Sequence, residues 1–564
     1  MGLKYKPLPI GVDDFKKIIV NDYFYVDKTL FVKELLDKKG DVNLFMRPRR
    51  FGKTLSLSML RYYFEKERRQ DGSVMDHSAL FQGLNIMKAD EKYLKEMGQY
   101  PVIFLTLKSA KQPDFLMAYT ALKEAVAYEY RRHGWVLQTL KNEGEKKKFD
   151  DIANLRAGRE DYNNSLQFLS QCLEKAYGRK TIILIDEYDV PLENAYFSGF
   201  YEEMTGFMRS LFESALKTNL SLEFAVITGC LRISKESIFT GLNNLNMISI
   251  LSDLYSEYFG FTQREVDEAL RFYGRENKAE VMKKWYDGYL FGSTEVYNPW
   301  SVIKYLQDIA ENEQYFPRPY WANTSSNSIV RTLVEKADIS VKEEIENLIR
   351  GKAVEKDVHE EVTYGDVDKN DDYLWNFLFF TGYLKKVEES IEGRIVKLKL
   401  AIPNEEVKYI YENTIINWFR EEIEKEDLSQ LYHALEEGDC GVVSNMIAEW
   451  LIETISYYDY AENFYHGFML GMLSQASKYS VKSNRESGKG RYDIVMKTPS
   501  RRGLAIILEL KVADSMEDLE EACKRGLRQI QEKGYEQELQ EDGYKNIKKY
   551  AIAFYKKDCE VMGE

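Results

Sequence analysis

The sequence predicts an α/β protein with an N-terminal doubly wound parallel sheet, a helical middle segment and a C-terminal α/β domain. Two observations predict the N-terminal sheet. Residues 42–46 form an apolar run that leads into a loop and a mostly apolar helix, and residues 181–186 form a second apolar run that ends in carboxylates. A third observation predicts the C-terminal domain. Residues 504–512 (L-A-I-I-L-E-L-K-V) have the composition of a buried strand that also carries a glutamate and a lysine two positions apart.

Composition restricts the class of protein. A chain of 564 residues is too long for one core and suggests about three domains. It has no apolar run of about 18 residues and no apolar signal-like N-terminus, which predicts a cytoplasmic protein without membrane contact. Five scattered cysteines agree with a reducing compartment and argue against a zinc site. The net charge of −14 leaves nucleic-acid binding to local basic patches.

The loop after the first strand, residues 47–54 (R-P-R-R-F-G-K-T), ends like a phosphate-binding loop. In such loops the N–H groups at the start of the helix surround a polyphosphate. The lysine reaches the β- and γ-phosphates, and the threonine hydroxyl holds Mg²⁺. We therefore predict that Gly52, Lys53 and Thr54 bind ATP with Mg²⁺. The usual spacing has glycine at position 47, where this chain has Arg47.

The second apolar run completes the nucleotide motif. A buried parallel strand that ends in carboxylates places them at the catalytic edge of the sheet. We expect Asp186 to hold the Mg²⁺ through water and Glu187 to orient the attacking water.

Three segments together resemble the AAA-ATPase-like proteins of anaerobic bacteria that are fused to a PD-(D/E)XK nuclease-like domain. They are residues 25–29 (Y-V-D-K-T), 47–54 and 184–189 (L-I-D-E-Y-D). In that family the arginine-proline-arginine-arginine loop is usual, so Arg47 fits the family pattern.

The resemblance also extends the predicted nucleotide site. Arginines in the loop can make charge-assisted contacts to phosphate, or else face solvent. The additional loop residues assigned to the site are Arg47, Arg49, Arg50 and Phe51. These ATPases place a γ-phosphate sensor at the tip of the strand beside the carboxylate strand, which implies Thr228 and, more weakly, Arg232.

The middle of the chain has a helical apolar period from residue 255 to about 320, and its aromatic clusters resemble the family's helical lid. We attribute the aromatic residues to packing and retain Asp287 and Asn298 as candidates for nucleotide contact. Residues 373–402 then read as a helix and a hairpin, and Pro403 precedes another helix. This order suggests a winged-helix-like spacer with a structural role or, alternatively, a DNA contact.

The C-terminal segment carries the second chemistry. Its predicted elements are a helix at 461–476 and strands at 479–483, 490–497 and 504–512. Glu509 and Lys511 project from the same face of their strand, and the neighbouring strand delivers Asp493. Two carboxylates can hold Mg²⁺, or Mn²⁺, at a scissile phosphate, while the lysine positions or activates water. This is the core of the PD-(D/E)XK nucleases.

The flanking helices leave several assignments open. A helix after residue 515, predicted to begin with a capping box of Ser515 and Asp518, carries two glutamines. Gln529 fits the family pattern and is assigned a catalytic role, whereas Gln531 has the four-residue spacing to Tyr535. Glu462 is either an extra metal ligand or a solvent-facing residue. His466 is favoured as a packed helix histidine over a catalytic base.

The region around this second site is basic. Residues 478–502 contain eight basic and two acidic residues, a local net charge of +6. The basic residues are Lys478, Lys482, Arg485, Lys489, Arg491, Lys497, Arg501 and Arg502. A solvated hairpin accounts for part of this charge, and a basic rim also suits sequence-independent contact with nucleic acid.

We predict four segments: a P-loop AAA-like ATPase domain at 1–255, a helical lid at 256–340, a helical and winged-helix-like spacer at 341–445, and a PD-(D/E)XK nuclease-like domain at 446–564. The predicted function is ATP hydrolysis coupled to metal-dependent cleavage of DNA, with RNA as the alternative, in defence or mobile-element control. Two rival hypotheses are a signalling ATPase whose last domain binds nucleic acid without cutting it, and an ATP-dependent assembly protein. Homo-oligomerisation with an arginine finger from a neighbour stays open.

Overall fold

The computed structural model describes residues 5–217, 219–231, 238–239, 242–321, 339–358, 371–392, 395–412, 427–454, 462–483 and 493–564. Contacts within the chain divide it into two compact units. The first unit comprises residues 1–324 and 355–407, and the second comprises residues 325–354 and 408–564. The four-segment division predicted above is a finer one, and its boundaries stay predictions.

The described α-helices of the first half are α1 (Phe15–Val20), α2 (Leu30–Lys38), α3 (Lys53–Phe64), α4 (Glu91–Leu94), α5 (Phe115–Arg132), α6 (Glu143–Ala153), α7 (Arg159–Asn163), α8 (Ser165–Tyr177), α9 (Val190–Ser198) and α10 (Tyr201–Leu216). Those that follow are α11 (Gln263–Phe272), α12 (Ala279–Tyr286), α13 (Pro299–Glu311), α14 (Ile339–Ile349), α15 (Asp371–Phe380), α16 (Ser429–Glu437), α17 (Cys440–Thr454), α18 (Glu462–Ser474), α19 (Leu519–Glu532) and α20 (Tyr535–Glu541). Among these described helices, none is both long and apolar enough to cross a bilayer.

A five-stranded parallel sheet forms the centre of the first unit, which confirms the predicted fold class. Its strands are β1 (Val42–Met46), β2 (Val102–Thr106), β3 (Thr181–Asp186), β4 (Leu222–Gly229) and β5 (Leu245–Ile248). Their order is β2-β3-β4-β1-β5. β1 and β3 are buried at every position, as the continuous apolar runs predict for strands covered on both faces. Because β4 lies between β1 and β3, the ends of these three strands meet at one edge of the sheet.

Smaller elements complete the first unit. β6 (Tyr289–Phe291) and β7 (Thr294–Val296) form an antiparallel pair. β9 (Lys385–Glu392) and β10 (Ile395–Ala401) form the predicted hairpin after α15. β8 (Val354–Asp357) adds to this hairpin in the order β8-β10-β9.

The second unit is built on a mixed five-stranded sheet. Its strands are β11 (Ser480–Ser483), β12 (Ile494–Lys497), β13 (Leu504–Val512), β14 (Asn546–Tyr555) and β15 (Asp558–Gly563), paired in sequence order. All neighbours are antiparallel except β13 and β14, which run parallel and are connected through α19 and α20. An apolar core from α16, α17 and α18 packs against β12, β13 and β14.

The start of α19 differs from the prediction. The sequence predicts a capping box at Ser515 and Asp518, but the helix begins at Leu519 after a short 3-10 turn at Met516–Asp518. Neither predicted cap makes a side-chain hydrogen bond to the start of its helix. The 3-10 turn takes the place of the first α-helical turn, so the spacing required by the box is lost.

Candidate nucleotide and nuclease sites

Three predicted residues meet at the edge of the first sheet. The hydroxyl of Thr54 donates to Asp186 Oδ2 at 2.8 Å, and the hydroxyl of Thr228 donates to Asp186 Oδ1 at 2.8 Å. The Asp186 side chain is fully buried. Strand order explains the meeting, because β4 carries Thr228 between the β3 tip and the helix that begins after β1. One carboxylate therefore joins the loop helix to the two central strands.

The loop has the backbone that a phosphate site requires. Gly52 is the N-cap of α3 and adopts a left-handed conformation (φ 82°), which glycine tolerates best. The next residue, Lys53, is buried, and its Nζ donates to the carbonyl oxygens of Arg47 and Pro48 at 2.8 Å each. The lysine thus lies folded over the inside of the loop, beside the free N–H groups that begin the helix.

Glu187 has a strained backbone and a perturbed carboxyl. Its φ of 53° is in the left-handed region, where a residue other than glycine is uncommon. Burial raises the pKa of Glu187, and the Asp186 carboxylate raises it further, while Lys108 and Lys53 act in the opposite direction. The carboxyl therefore lies in the field of the nucleotide-site charges, as expected of a group that handles the proton of a water molecule.

Lys108 is a site residue that the sequence reasoning missed. Its Nζ lies 3.2 Å from the Thr54 hydroxyl, 3.8 Å from Asp186 Oδ2 and 3.2 Å from Asp13 Oδ2. Burial acts to lower the pKa of Lys108, but the carboxylates of Asp186, Glu187 and Asp13 outweigh it and raise that pKa. The sequence did contain a signal for Lys108. This lysine follows β2 closely, and because β2 pairs in parallel with β3, it lies at the same edge of the sheet as Asp186.

Arg47 is buried in this structure, which gives its predicted phosphate contact no support. Its guanidinium is fully buried and donates to the carbonyl oxygen of Ser249, with longer bonds to Ile248 and Leu254. Its Cζ lies 4.7 Å from the centroid of the Phe291 ring. Burial lowers the pKa of Arg47 to about 9. The arginine at the position usually held by glycine is therefore a core residue that ties the loop to the end of β5.

The other loop residues divide between two roles. Phe51 is buried against Tyr289, with ring centroids 4.9 Å apart, so its side chain anchors the loop, and its nucleotide contact stays a prediction. Arg49 forms an ion pair of 2.5 Å with Glu193. Arg50 is exposed and lies 4.5 Å over the Trp300 ring. Of the predicted arginines, Arg50 therefore keeps an exposed charge next to the loop.

Asp27, Lys28 and Asn298 make contacts within the fold. Asp27 accepts hydrogen bonds from the backbone N–H and hydroxyl of Thr29 at 2.9 and 2.6 Å, and Lys28 pairs with Glu265 on α11 at 2.6 Å. Asn298 is buried and caps α13 by accepting from the N–H groups of residues 300 and 301. These contacts explain the residue types without a nucleotide.

Two further residues predicted near the nucleotide are Asp287 and Arg232. Asp287 is buried, and burial raises its pKa to about 6. Its carbonyl oxygen accepts from the Asn404 side chain at 2.7 Å, so the residue ties the lid to the segment after β10. Arg232 lies outside the described residues.

The second unit brings the predicted nuclease residues together. Asp493 Oδ2 accepts from the backbone N–H of Leu510 at 2.8 Å, which places it across from the middle of β13. Lys511 Nζ donates to Glu509 Oε1 at 2.8 Å. The antiparallel pairing of β12 with β13 produces this arrangement, because Ile494 pairs with Leu508. The predicted carboxylate pair and lysine therefore occupy one site.

The electrostatics of this site fit a divalent cation. Burial raises the pKa of Glu509 to about 7, and the Asp493 carboxylate adds to the shift while Lys511 opposes it. Glu509 Oε2 is buried without a hydrogen-bond partner in the described chain. Within the described residues no three potential ligand side chains surround a metal position. A cation held here would be coordinated by two carboxylates, water and phosphate oxygens, which is a ligand set typical of Mg²⁺.

The two candidate glutamines make different contacts. Gln529 Nε2 lies 3.4 Å from the Tyr535 hydroxyl. Burial raises the pKa of Tyr535, and the carboxylates of Glu509 and Asp493 raise it further. Gln531 instead donates to the Glu564 carboxylate at 3.0 and 2.9 Å. Gln529 is thus the glutamine on the side of the carboxylate pair.

His466 on α18 contacts the backbone of the site. Its Nε2 lies 3.1 Å from the carbonyl oxygen of Asp493 and 3.0 Å from the Ser483 hydroxyl. A hydrogen bond to the carbonyl requires the proton on Nε2. The side chain is nearly buried, which agrees with a packed histidine that fixes the start of β12. The side chain of Glu462 lies outside the described residues.

The basic rim is only partly described. Arg485, Lys489 and Arg491 lie outside the described residues. Lys478 pairs with Glu436 at 2.7 Å, and Lys497 pairs with Asp542 at 2.6 Å. Part of the positive charge that the sequence places here is therefore neutralised within the unit.

Comparison with known proteins finds a family match for each of two segments of the chain. Residues 9–239 match the family described as a predicted AAA-ATPase, and residues 460–564 match the PD-(D/E)XK nuclease superfamily. A curated relative, an uncharacterized protein in the vnfD 5' region of Azotobacter chroococcum mcd 1, is 25% identical over 547 residues, which cover 94% of this chain and 93% of that protein. A solved Walker-type ATPase of Pyrococcus abyssi aligns with a TM-score of 0.37 and 14% identity, over 72% of this chain and 98% of that chain. The chain thus carries an AAA-ATPase-like domain at residues 9–239 and a PD-(D/E)XK nuclease superfamily domain at residues 460–564.

Proposed function

We propose that this protein hydrolyses ATP in its first domain and uses nucleotide turnover to control phosphodiester cleavage of DNA by its last domain. The observation that carries the proposal is that predicted site residues come together in two separate clusters. One centres on Asp186 at the end of the phosphate loop, and the other on Asp493, Glu509 and Lys511. Each cluster combines a buried carboxylate, Asp186 or Glu509, with a lysine, and these are residue types that act on phosphate esters.

In the first domain each residue has a defined task. The α3 N–H groups bind the phosphates, and the ammonium of Lys53 exchanges its loop carbonyls for phosphate oxygens. When a divalent cation is bound, Thr54 would hold it through its hydroxyl and Asp186 would hold it through water. Glu187 accepts the proton of the attacking water, and Thr228 orients Asp186.

In the last domain Asp493 and Glu509 would hold the cation, and Lys511, which donates to Glu509, would orient water at the scissile phosphate. A bound divalent cation, Mg²⁺ or Mn²⁺, would neutralise the phosphate oxygens under attack at either site. The orphaned Glu509 Oε2 and the mutual repulsion of the two carboxylates support a cation there. Gln529 and Tyr535 border this cluster on the α19 side.

The test is cleavage of supercoiled plasmid and of single-stranded DNA and RNA by the full chain, with Mg²⁺ or Mn²⁺ and with or without ATP. The variants are Lys53→Ala and Glu509→Ala. The matched surface controls are Lys95→Ala and Glu541→Ala. We expect Glu509→Ala to lose cleavage and keep ATP hydrolysis. We expect Lys53→Ala to lose ATP hydrolysis together with the effect of ATP on cleavage.

Other results would assign the function differently. ATP hydrolysis without cleavage by any metal, together with salt-sensitive DNA binding, would favour an ATPase switch with a nucleic-acid platform. ATP hydrolysis without either activity would favour an assembly protein. Cleavage that is the same with and without ATP would remove the proposed control.

A further inference from the structure

The Asp186 carboxylate is fully buried, yet a charged ammonium stands beside it. Lys108 Nζ lies 3.2 Å from the Thr54 hydroxyl and 3.8 Å from Asp186 Oδ2. These are the two groups that would bind the divalent cation of a nucleotide. A divalent cation held by these two groups, directly or through water, would bring its positive charge close to that ammonium. Lys108 and the metal ion therefore compete for one position.

The fold fixes the backbone of Lys108, whereas the end of its side chain is partly exposed. β2 pairs with β3 so that Thr106 lies opposite Asp186, and the N–H of Leu107 donates to the Asp186 carbonyl at 3.1 Å. The backbone of residue 108 is thereby held at the site. The side chain is 41% exposed, and its third contact is the exposed Asp13 carboxylate at 3.2 Å. The ammonium can leave Asp186 without unpacking a core.

We propose that Lys108 is an internal counter-ion that neutralises Asp186 in the nucleotide-free protein and that the metal–nucleotide complex enters by displacing it. This rests on the proposed role of Thr54 and Asp186 as metal ligands. The device keeps the buried carboxylate paired when no nucleotide is bound, since an uncompensated buried charge is costly. It also discourages a metal ion from binding alone, because metal without nucleotide brings no phosphate for the displaced ammonium to contact.

The experiment measures binding of a fluorescent ADP analogue to the full chain as a function of Mg²⁺ concentration, for wild type, Lys108→Met and Lys108→Arg. Lys111→Met, an exposed lysine three residues further on, is the matched control. We expect the half-saturating Mg²⁺ concentration to fall by up to about fivefold in Lys108→Met, the size of a partly exposed ion pair. Lys108→Arg and Lys111→Met should stay near wild type.

A second readout does not involve nucleotide. In EDTA the melting temperature of Lys108→Met should be lower than that of Lys111→Met by about 2–4 °C, and saturating Mg²⁺ with ADP should remove the difference. An unchanged or increased Mg²⁺ requirement in Lys108→Met would overturn the proposal, even if that variant lost hydrolysis. Failure of wild type to bind nucleotide in a Mg²⁺-dependent way would instead overturn the proposed ATPase function on which it rests.

Discussion

The hydroxyl of Thr228 donates to the carboxylate of Asp186 at 2.8 Å, which joins the tips of β4 and β3 at the candidate nucleotide site. Because both side chains are fully buried, this hydrogen bond has no competition from water. It fixes the orientation of the carboxylate whose other oxygen accepts from Thr54.

Thr228→Val removes this donor and keeps the shape of the side chain. We expect the affinity for Mg²⁺–nucleotide or the rate of ATP hydrolysis to fall about 10–100-fold, the usual cost of losing a group that orients a metal ligand. Thr228→Ser keeps the hydroxyl and should retain most activity. Steady-state hydrolysis measured over a Mg²⁺ series checks this. Equal loss in the serine and valine variants would point to packing instead of the hydrogen bond.

Glu187→Gln should separate nucleotide binding from hydrolysis. If the carboxylate accepts the proton of the attacking water, its removal lowers kcat about 10²–10⁴-fold. The affinity for ATP should change little, because Lys53 and the loop backbone still bind the phosphates. Equilibrium binding and single-turnover hydrolysis test the two parts. A variant that loses binding as strongly as Lys53→Ala would show that Glu187 shapes the site instead.

Arg47→Met should act on stability more than on nucleotide binding. The substitution leaves the buried carbonyl oxygens at the end of β5 without their donor, which costs about 3 kcal/mol of unfolding free energy. The exposed Arg50 provides the matched control, since Arg50→Met loses only its contact with Trp300, worth about 0.5–1 kcal/mol. Urea unfolding and ATP affinity are measured for both. A large loss of affinity in a fully stable Arg47→Met would restore the predicted phosphate contact.

Local sequence pattern was sufficient to predict strands and the candidate site residues at their ends where an apolar run ends in a polar residue. Strands β1, β3 and β13 lie close to their predicted bounds, and the groups at their ends meet as expected. A strand buried on both faces must be apolar throughout, so its polar end is conspicuous. The same reasoning placed Glu509 and Lys511 on one face of β13, because the strand period fixes which side chains share a face.

The pattern could not predict the placement of side chains that depends on contacts between residues distant in sequence. Arg47 is buried because Phe291 and the Ser249 carbonyl receive it, and neither is marked in the loop. Lys108 reaches Asp186 through the pairing of β2 with β3, which is a fact of topology. The choice of Gln529 follows from how α19 seats on β14, where Gly526 allows close approach to Ala551.

Glu406 predicts how the first unit responds to pH. The carboxyl is fully buried and accepts from the Ser301 hydroxyl and the Trp321 N–H, and burial raises its pKa to about 8. The folded state therefore binds this proton more tightly than the unfolded state. The stability that it contributes is present below about pH 4.5 and is lost as the pH rises through about 8, by up to about 1.4 kcal/mol per pH unit.

Glu406→Gln should flatten this dependence, because the amide cannot ionise. Denaturant unfolding followed by tryptophan fluorescence at pH 6 and pH 9 should show a larger loss in wild type than in the variant. Glu405→Gln changes the neighbouring exposed carboxylate and should behave like wild type. An equal loss in all three proteins would assign the pH dependence to other groups.

Gln529→Ala and Gln531→Ala form a matched pair on one helix. Both remove the same amide from positions two apart on α19, but only Gln529 lies beside Tyr535 and the carboxylate pair. We expect Gln529→Ala to lower the initial rate of plasmid cleavage about 10–100-fold, as loss of a group that supports a metal site does. Gln531→Ala breaks an exposed contact with Glu564 and should stay within about twofold of wild type.

The two glutamine variants are compared at equal folded fraction and over a Mn²⁺ series. If Gln529 orients the carboxylates, more metal should recover part of the lost rate, since the defect is in ligand placement. If Gln529 contacts the DNA or the attacking water, the rate at saturating metal stays low. Comparable loss in Gln529→Ala and Gln531→Ala would mean that the helix supports the fold of the site and that neither amide acts in it.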